Sequence, residues 1–130
     1  MDIMSLFEAF LNGNKISYQK KENTVSFSFE NKNYVLLYDP QDPNYYRLTL
    51  PKVNDSQLSL DERNKILIKL TSEFKVAKTI DTINDGVWFS YEQLLMSENV
   101  SDCEYVFARS IRILSEMLNQ YRVLIQSNTH

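Results

Sequence analysis

Apolar side chains at Ile3, Leu6, Phe7, Phe10 and Leu11 recur every three or four residues, which predicts one buried face of a short helix. Asn12-Gly13 ends it, since glycine takes the left-handed conformation that a helix C-terminus favours. The period then drops to two. Ile16 and Tyr18 alternate with polar residues, and after Glu22-Asn23 the run Val25, Phe27, Phe29 alternates with Ser26 and Ser28, a strand with one apolar and one wet face. Asn31-Lys32-Asn33 reads as the next turn. "YVLLYD" (34–39) follows as a strand apolar on both faces, closed by Pro40 and Pro43. A fourth strand, "YYRLTL" (45–50), sets Tyr46, Leu48 and Leu50 against Tyr45, Arg47 and Thr49, and Pro51 stops it.

After a loop over 52–58, Ser59-Leu60-Asp61-Glu62 forms a capping box, in which hydroxyl and carboxylate satisfy amides at a helix start. That helix runs to about Phe74 with Ile66, Leu67, Leu70 and Phe74 inward. The next stretch, "VAKTIDTINDGVWFSYEQ", is a hairpin whose Asp85-Gly86 step is a two-residue turn signal. This register places Asn84 opposite Val87, Ile83 opposite Trp88 and Ile80 opposite Tyr91. Trp88 then points away from the core with Ile83, either covering that neighbour or contacting a partner, since exposed tryptophan is enriched at binding hot spots.

A second capping box, Ser101-Asp102-Cys103-Glu104, opens a helix from about Asp102 to Gln126. Phe107, Ile111, Leu114, Leu118, Tyr121 and Ile125 make its core stripe. Beside it runs a second stripe, Val106, Ile113, Met117 and Leu124, and the two together span roughly 160° where a surface helix commonly shows a little over 100°. The second stripe is either the seat of the N-terminal helix or a dimer or client surface in which methionine is an adaptable filler. The order helix, four strands, helix, two strands, helix (α-β-β-β-β-α-β-β-α) over residues 1–130 predicts a single α+β domain, an antiparallel sheet with its helices packed on one face.

Composition narrows the function classes. The 130 residues carry 14 basic and 17 acidic side chains, a net charge of −3, with 43% hydrophobic residues. No basic stripe exists, so nucleic acid is not expected as a partner. Asp2 and Glu8 break any signal-peptide reading of the N-terminus, and no window approaches a transmembrane span; the expectation is a cytoplasmic protein with no membrane partner. The lone Cys103 and the terminal His130 supply neither a zinc constellation nor a Cys–His or Ser–His nucleophile. Two glycines, Gly13 and Gly86, make no phosphate-cradling loop. The stretch Asp81–Gly86 departs from a calcium loop at Ile83, and Asp39 with Asp42 reads as Pro-held turn chemistry. No cofactor and no metal are expected, and an enzyme would have to work with Asp, Glu, Tyr or Lys alone.

The segments "FLNGNKISYQ", "NTVSFSFENKNYVLLYD", "YYRLTLP", "SLDERNKILIKLTSEF", "VAKTIDTINDGVWFSYEQLL" and "SDCEYVFARSIRILSEMLNQY" cover nearly the whole chain. In order and spacing they resemble the YbjN-like proteins, labelled bacterial sensory transduction regulators, which share a fold with type III secretion chaperones. The chain departs from their pattern at Leu70-Thr71-Ser72, where members often carry asparagine, and at Lys75-Val76, where they often carry glycine or arginine. The resemblance implies a non-catalytic, protein-binding α+β module, often dimeric, and brings no catalytic residue with it.

The expectation is a cytoplasmic chaperone, adaptor or regulator that buries a partner segment or self-associates. Its candidate surfaces are the outer sheet face around Tyr45, Arg47, Ile83 and Trp88, and the stripe Val106, Ile113, Met117 and Leu124. The alternative is a small-ligand sensor with a pocket between sheet and helices.

Overall fold

The computed structural model describes residues 1–53, 59–74, 77–81 and 86–128. The elements run α1 (Ile3–Gly13), β1 (Tyr18–Lys21), β2 (Thr24–Phe29), β3 (Lys32–Leu37), β4 (Tyr45–Val53), α2 (Leu60–Glu73), β5 (Ala77–Asp81), β6 (Val87–Leu94) and α3 (Val100–Asn128). The fold is α+β: six antiparallel strands in the order β1-β2-β3-β4-β6-β5, with the helices on one side. β6 therefore lies between β4 and β5.

Local chemistry explains most boundaries. Asp2 caps α1 by accepting from the Ser5 amide at 2.8 Å. Gly13 does not end it in a left-handed conformation; Lys15, at φ 58°, takes that role. The β2–β3 turn is Glu30-Asn31, both with positive φ, the geometry that matches strand twist in a two-residue hairpin, so β3 starts at Lys32 and not beyond Asn33. Pro51 does not stop β4. It sits where the β4–β6 ladder shifts register between Leu50 and Val53, and a bulge tolerates a residue without an N–H.

Ser59 caps α2 as the sequence predicts, accepting from the Glu62 amide at 3.2 Å. α3 starts two residues earlier than expected, because Asn99 and not Ser101 accepts the amide of Asp102, at 3.3 Å. Gly86, at φ 74°, leads into β6; a Cβ there would lie 2.8 Å from the Val53 carbonyl oxygen, so glycine is needed.

Alternate residues of each strand point toward the helices. Val25 and Phe27, Tyr34 and Leu36, Tyr46, Leu48 and Leu50, and Val87, Phe89 and Tyr91 form the sheet side of the core. Ile3, Phe7 and Leu11 of α1, Leu70 of α2, and Phe107, Leu114, Met117 and Tyr121 of α3 meet them. Phe7 is the junction: its ring centroid lies 5.0 Å from Phe107, 5.6 Å from Phe27 and 6.1 Å from Tyr46. Tyr46 in turn lies 5.2 Å from Phe107, and Phe89 packs edge-on against Tyr121 at 5.4 Å. Aromatic pairs at these separations add about 0.5–1.5 kcal/mol each beyond the area they bury.

One polar relay crosses this core. Ser110 donates to the Phe107 carbonyl at 2.8 Å, which leaves its oxygen free to accept from the buried Tyr46 hydroxyl at 2.7 Å. Burial pushes the Tyr46 phenol far above its ordinary value, and the hydrogen bond with Ser110 offsets only part of that rise. The relay makes an asymmetric prediction. Ser110→Ala orphans a buried hydroxyl and costs about 1–3 kcal/mol, whereas Tyr46→Phe leaves Ser110 satisfied and costs about 0.5–1.5 kcal/mol. Urea unfolding of both variants and of the double variant checks this, and the double variant is expected to be more stable than Ser110→Ala alone.

Candidate partner-binding surfaces

Because Tyr46, Leu48, Phe89 and Tyr91 face the helices, their strand neighbours face outward. Tyr45, Arg47 and Thr49 of β4 thus share the uncovered face with Trp88, Ser90, Glu92 and Leu94 of β6. Cross-strand pairing sets Tyr45 against Leu94, Arg47 against Glu92 and Thr49 against Ser90. The structure brings Tyr45, Arg47 and Trp88 to one face, as expected from the sequence. The hairpin register differs. Trp88 pairs with Ile80, and Asp81 with Val87, so the segment between the strands has five residues and not two. Ile83, Asn84 and Asp85 lie outside the described residues. The longer connection shifts every pairing by three positions, and Ile80 meets Trp88 where Tyr91 was expected.

The outer face is organised around Glu92. Lys78 Nζ lies 2.7 Å from Glu92 Oε2, and Arg47 Nε lies 3.3 Å from Glu92 Oε1. Arg47 also reaches Ser90, Nε to Oγ at 3.4 Å, and Thr49 donates to the Val35 carbonyl at 3.0 Å. Long side chains fold over short ones, so Thr49 and Ser90 are fully buried on a face that none of the described helices covers. Trp88 is half-buried beside them. Burial works against the Glu92 charge, but hydrogen bonds from Lys78 and Tyr45 and the nearby cations outweigh it and hold its carboxyl below the usual value of 4.5. Burial, then the hydrogen bond and charge of Glu92, push the Tyr45 phenol up to about 12. Glu92, Ser90 and Lys78 were not singled out from the sequence. Their pattern emerges only once β6 is known to pair with β4.

The second stripe of α3 divides. Val106 and Met117 are enclosed within the chain's own core, while Ile113 and Leu124 remain half-buried at its margin. α1 and α2 both pack on α3, so the breadth of the stripe reflects two helices to cover rather than one. Cys103 is buried, its Sγ 3.4 Å from the Met96 carbonyl. Burial and then the charges of Asp102, Glu98 and Glu104 push its thiol up, the reverse of an activated nucleophile. Asp39 accepts from the Gln41 amide at 2.9 Å, and its carbonyl accepts from Asp42, turn chemistry throughout. Among the described residues no group of three or more His, Cys, Asp or Glu side chains is placed to hold a metal ion, and no helix is long and apolar enough to cross a membrane. His130 lies outside the described residues.

No protein-family model matches the chain, and no curated protein matches it by sequence. Among solved structures it is similar to the Yersinia pestis type III secretion chaperone SycH, solved in complex with a stable fragment of YscM2. The TM-score is 0.61 at 13% identity, over 94% of this chain and 98% of that one. The likeness is one of fold.

The lowered Glu92 carboxyl gives a pH prediction. A group whose folded-state value is depressed stabilises the fold above its unfolded value and loses that contribution as pH falls through the folded one. Urea midpoints of the wild type should therefore fall below about pH 4.5, and Glu92→Gln should flatten part of that fall. At neutral pH the substitution should cost about 0.2–1 kcal/mol, the range for partly exposed pairs.

Proposed function

We propose that the chain is a non-catalytic protein-binding module, a chaperone, adaptor or regulator, that takes a partner segment on its outer sheet face around Tyr45, Arg47 and Trp88. The observation that carries this reading is the uncovered face itself. One aromatic ring system, one guanidinium and one phenol are spread along it, Trp88 six residues along β6 from the partner of Tyr45, over a bed of buried Ser90 and Thr49, and Trp, Tyr and Arg are the residue types that dominate binding energy. The network is also pre-organised, since Glu92 holds Arg47 and Lys78 in place and lowers the ordering cost of contact. The fold it shares with a chaperone crystallised with a partner fragment supports the same reading.

A second copy of the chain is the other candidate occupant. The stripe Val106, Ile113, Met117 and Leu124 has less to offer such a dimer, because two of its four side chains are already buried. The small-ligand alternative draws less support as well. The space between sheet and helices is filled by the rings of Phe7, Phe107 and Tyr46, and a hollow of about 840 Å³ opens outward beside Ile16, Tyr18 and Phe29.

Affinity capture from source cells with quantitative mass spectrometry tests the reading. Trp88→Ala and Arg47→Glu should each deplete the same partner at least about tenfold, the loss expected from one hot-spot side chain. Ile68→Ser, at an exposed position on α2, should retain it. Identical partner sets for all four proteins, each shown to be folded by circular dichroism, would dismiss the outer face.

A further inference from the structure

Nine large apolar side chains are exposed among the described residues, and four of them, Leu94, Met96, Val100 and Tyr105, fall together where β6 passes into α3. The other five are scattered from Met1 to Val123. Leu94 is 70% exposed, Met96 55% and Tyr105 64%, and they line a hollow of about 370 Å³ together with Asp102 and Arg109. Leu94 pairs across the sheet with Tyr45, so this corner continues the outer face at its end. An apolar cluster of this kind is uncommon on a surface that meets only water.

The charge around it says what would cover it. Three acids, Glu98, Asp102 and Glu104, lie within seven residues of one another at the start of α3, and Asp102 lines the hollow along with its one basic lining residue, Arg109. Asp102 is accounted for by the first turn of α3, where an acid complements the helix dipole. Glu98 precedes the helix and Glu104 lies beyond its first turn, and their charges, with that of Asp102, converge on the buried Cys103 beneath the corner.

We propose that this corner docks a cationic amphipathic segment of a partner protein, with apolar side chains seated against Leu94, Met96 and Tyr105 and lysine or arginine set against Glu98 and Glu104. The proposal rests on the protein-binding reading and adds a second surface with a defined partner chemistry. An uncharged apolar segment would leave the acids unpaired, and an acidic one would be repelled.

The test uses the full chain and a fluorescein-labelled helical peptide built from leucine and lysine, with its leucine–glutamate counterpart as control. Anisotropy should show binding of the lysine peptide alone, weakened by high salt as exposed charge pairs are screened. Met96→Ser, Tyr105→Ser and Glu104→Lys should each weaken it at least about tenfold. Leu60→Ser, at an exposed apolar position on α2, should not. All four positions are exposed, so the fold should persist, and circular dichroism checks that it does. No binding of the lysine peptide, equal binding of both peptides, or equal binding by all variants would overturn the proposal. Light scattering that shows a dimer abolished by Met96→Ser would assign the corner to a second copy and also overturn it. Loss of partner capture in Trp88→Ala, with no binding of either peptide, would leave the protein-binding reading standing and remove only this inference.

Discussion

The ring junction of Phe7, Phe107, Tyr46 and Phe27 is the contact on which the architecture depends. It joins α1, α3, β2 and β4 at one place, elements that lie far apart along the chain. A short helix such as α1 has little stability of its own in water, so its place over the sheet must come from packing. Phe7 supplies that packing, and Asp2 supplies the cap that fixes where the helix starts. The Tyr46–Ser110 bond then sets how α3 lies across the sheet, since a buried hydroxyl tolerates only the orientation that satisfies it.

The outer face inherits its geometry from that inner one. With Tyr46 and Tyr91 held against the helices, Tyr45, Arg47 and Glu92 have only the opposite side available, and the β4–β6 register sets Arg47 directly across from Glu92. Their ion pair is not a large source of stability, because it is partly exposed. Its effect is to hold a guanidinium and a phenol in fixed positions on a surface that would otherwise carry loose side chains. The corner at Leu94 and Met96 differs: its character comes from exposed apolar area and the acids at the start of α3.

Much of the fold was legible in the sequence because hydrophobic period reports directly on which side of an element is buried. The alternation of Val25 and Phe27, the Ser59 cap and the stripe Phe107–Leu114–Tyr121 stand where the pattern put them, while Phe29 at the end of its strand is exposed. What period does not report is which strands pair. The sheet order, the five-residue connection before Val87 and the bulge at Pro51 are decided by tertiary contacts, and turn signals such as Asp85-Gly86 favour a tight turn without requiring one. The same limit applies to the surface. Tyr45, Arg47 and Trp88 could be placed by alternation within their own strands, as could Ser90 and Glu92 beside Trp88, whereas the pairing of Glu92 with Arg47 and Lys78 follows only from the cross-strand registers. Val106 and Met117 looked spare on a helical wheel because a wheel counts apolar residues and not the helices that cover them.

The insertion of β6 between β4 and β5 also has a consequence for the nascent chain. The meander from β1 to β4 can close as soon as its own residues leave the ribosome, but the neighbour that completes β4 is made about forty residues later. At roughly 5–20 residues per second, β4 waits for a few seconds with its ladder groups unpaired and its row of Tyr46, Leu48 and Leu50 open to water. Synthesis therefore passes through a sticky half-sheet, and Pro51, which has no N–H to offer a pairing strand, gives it some protection against joining the wrong chain.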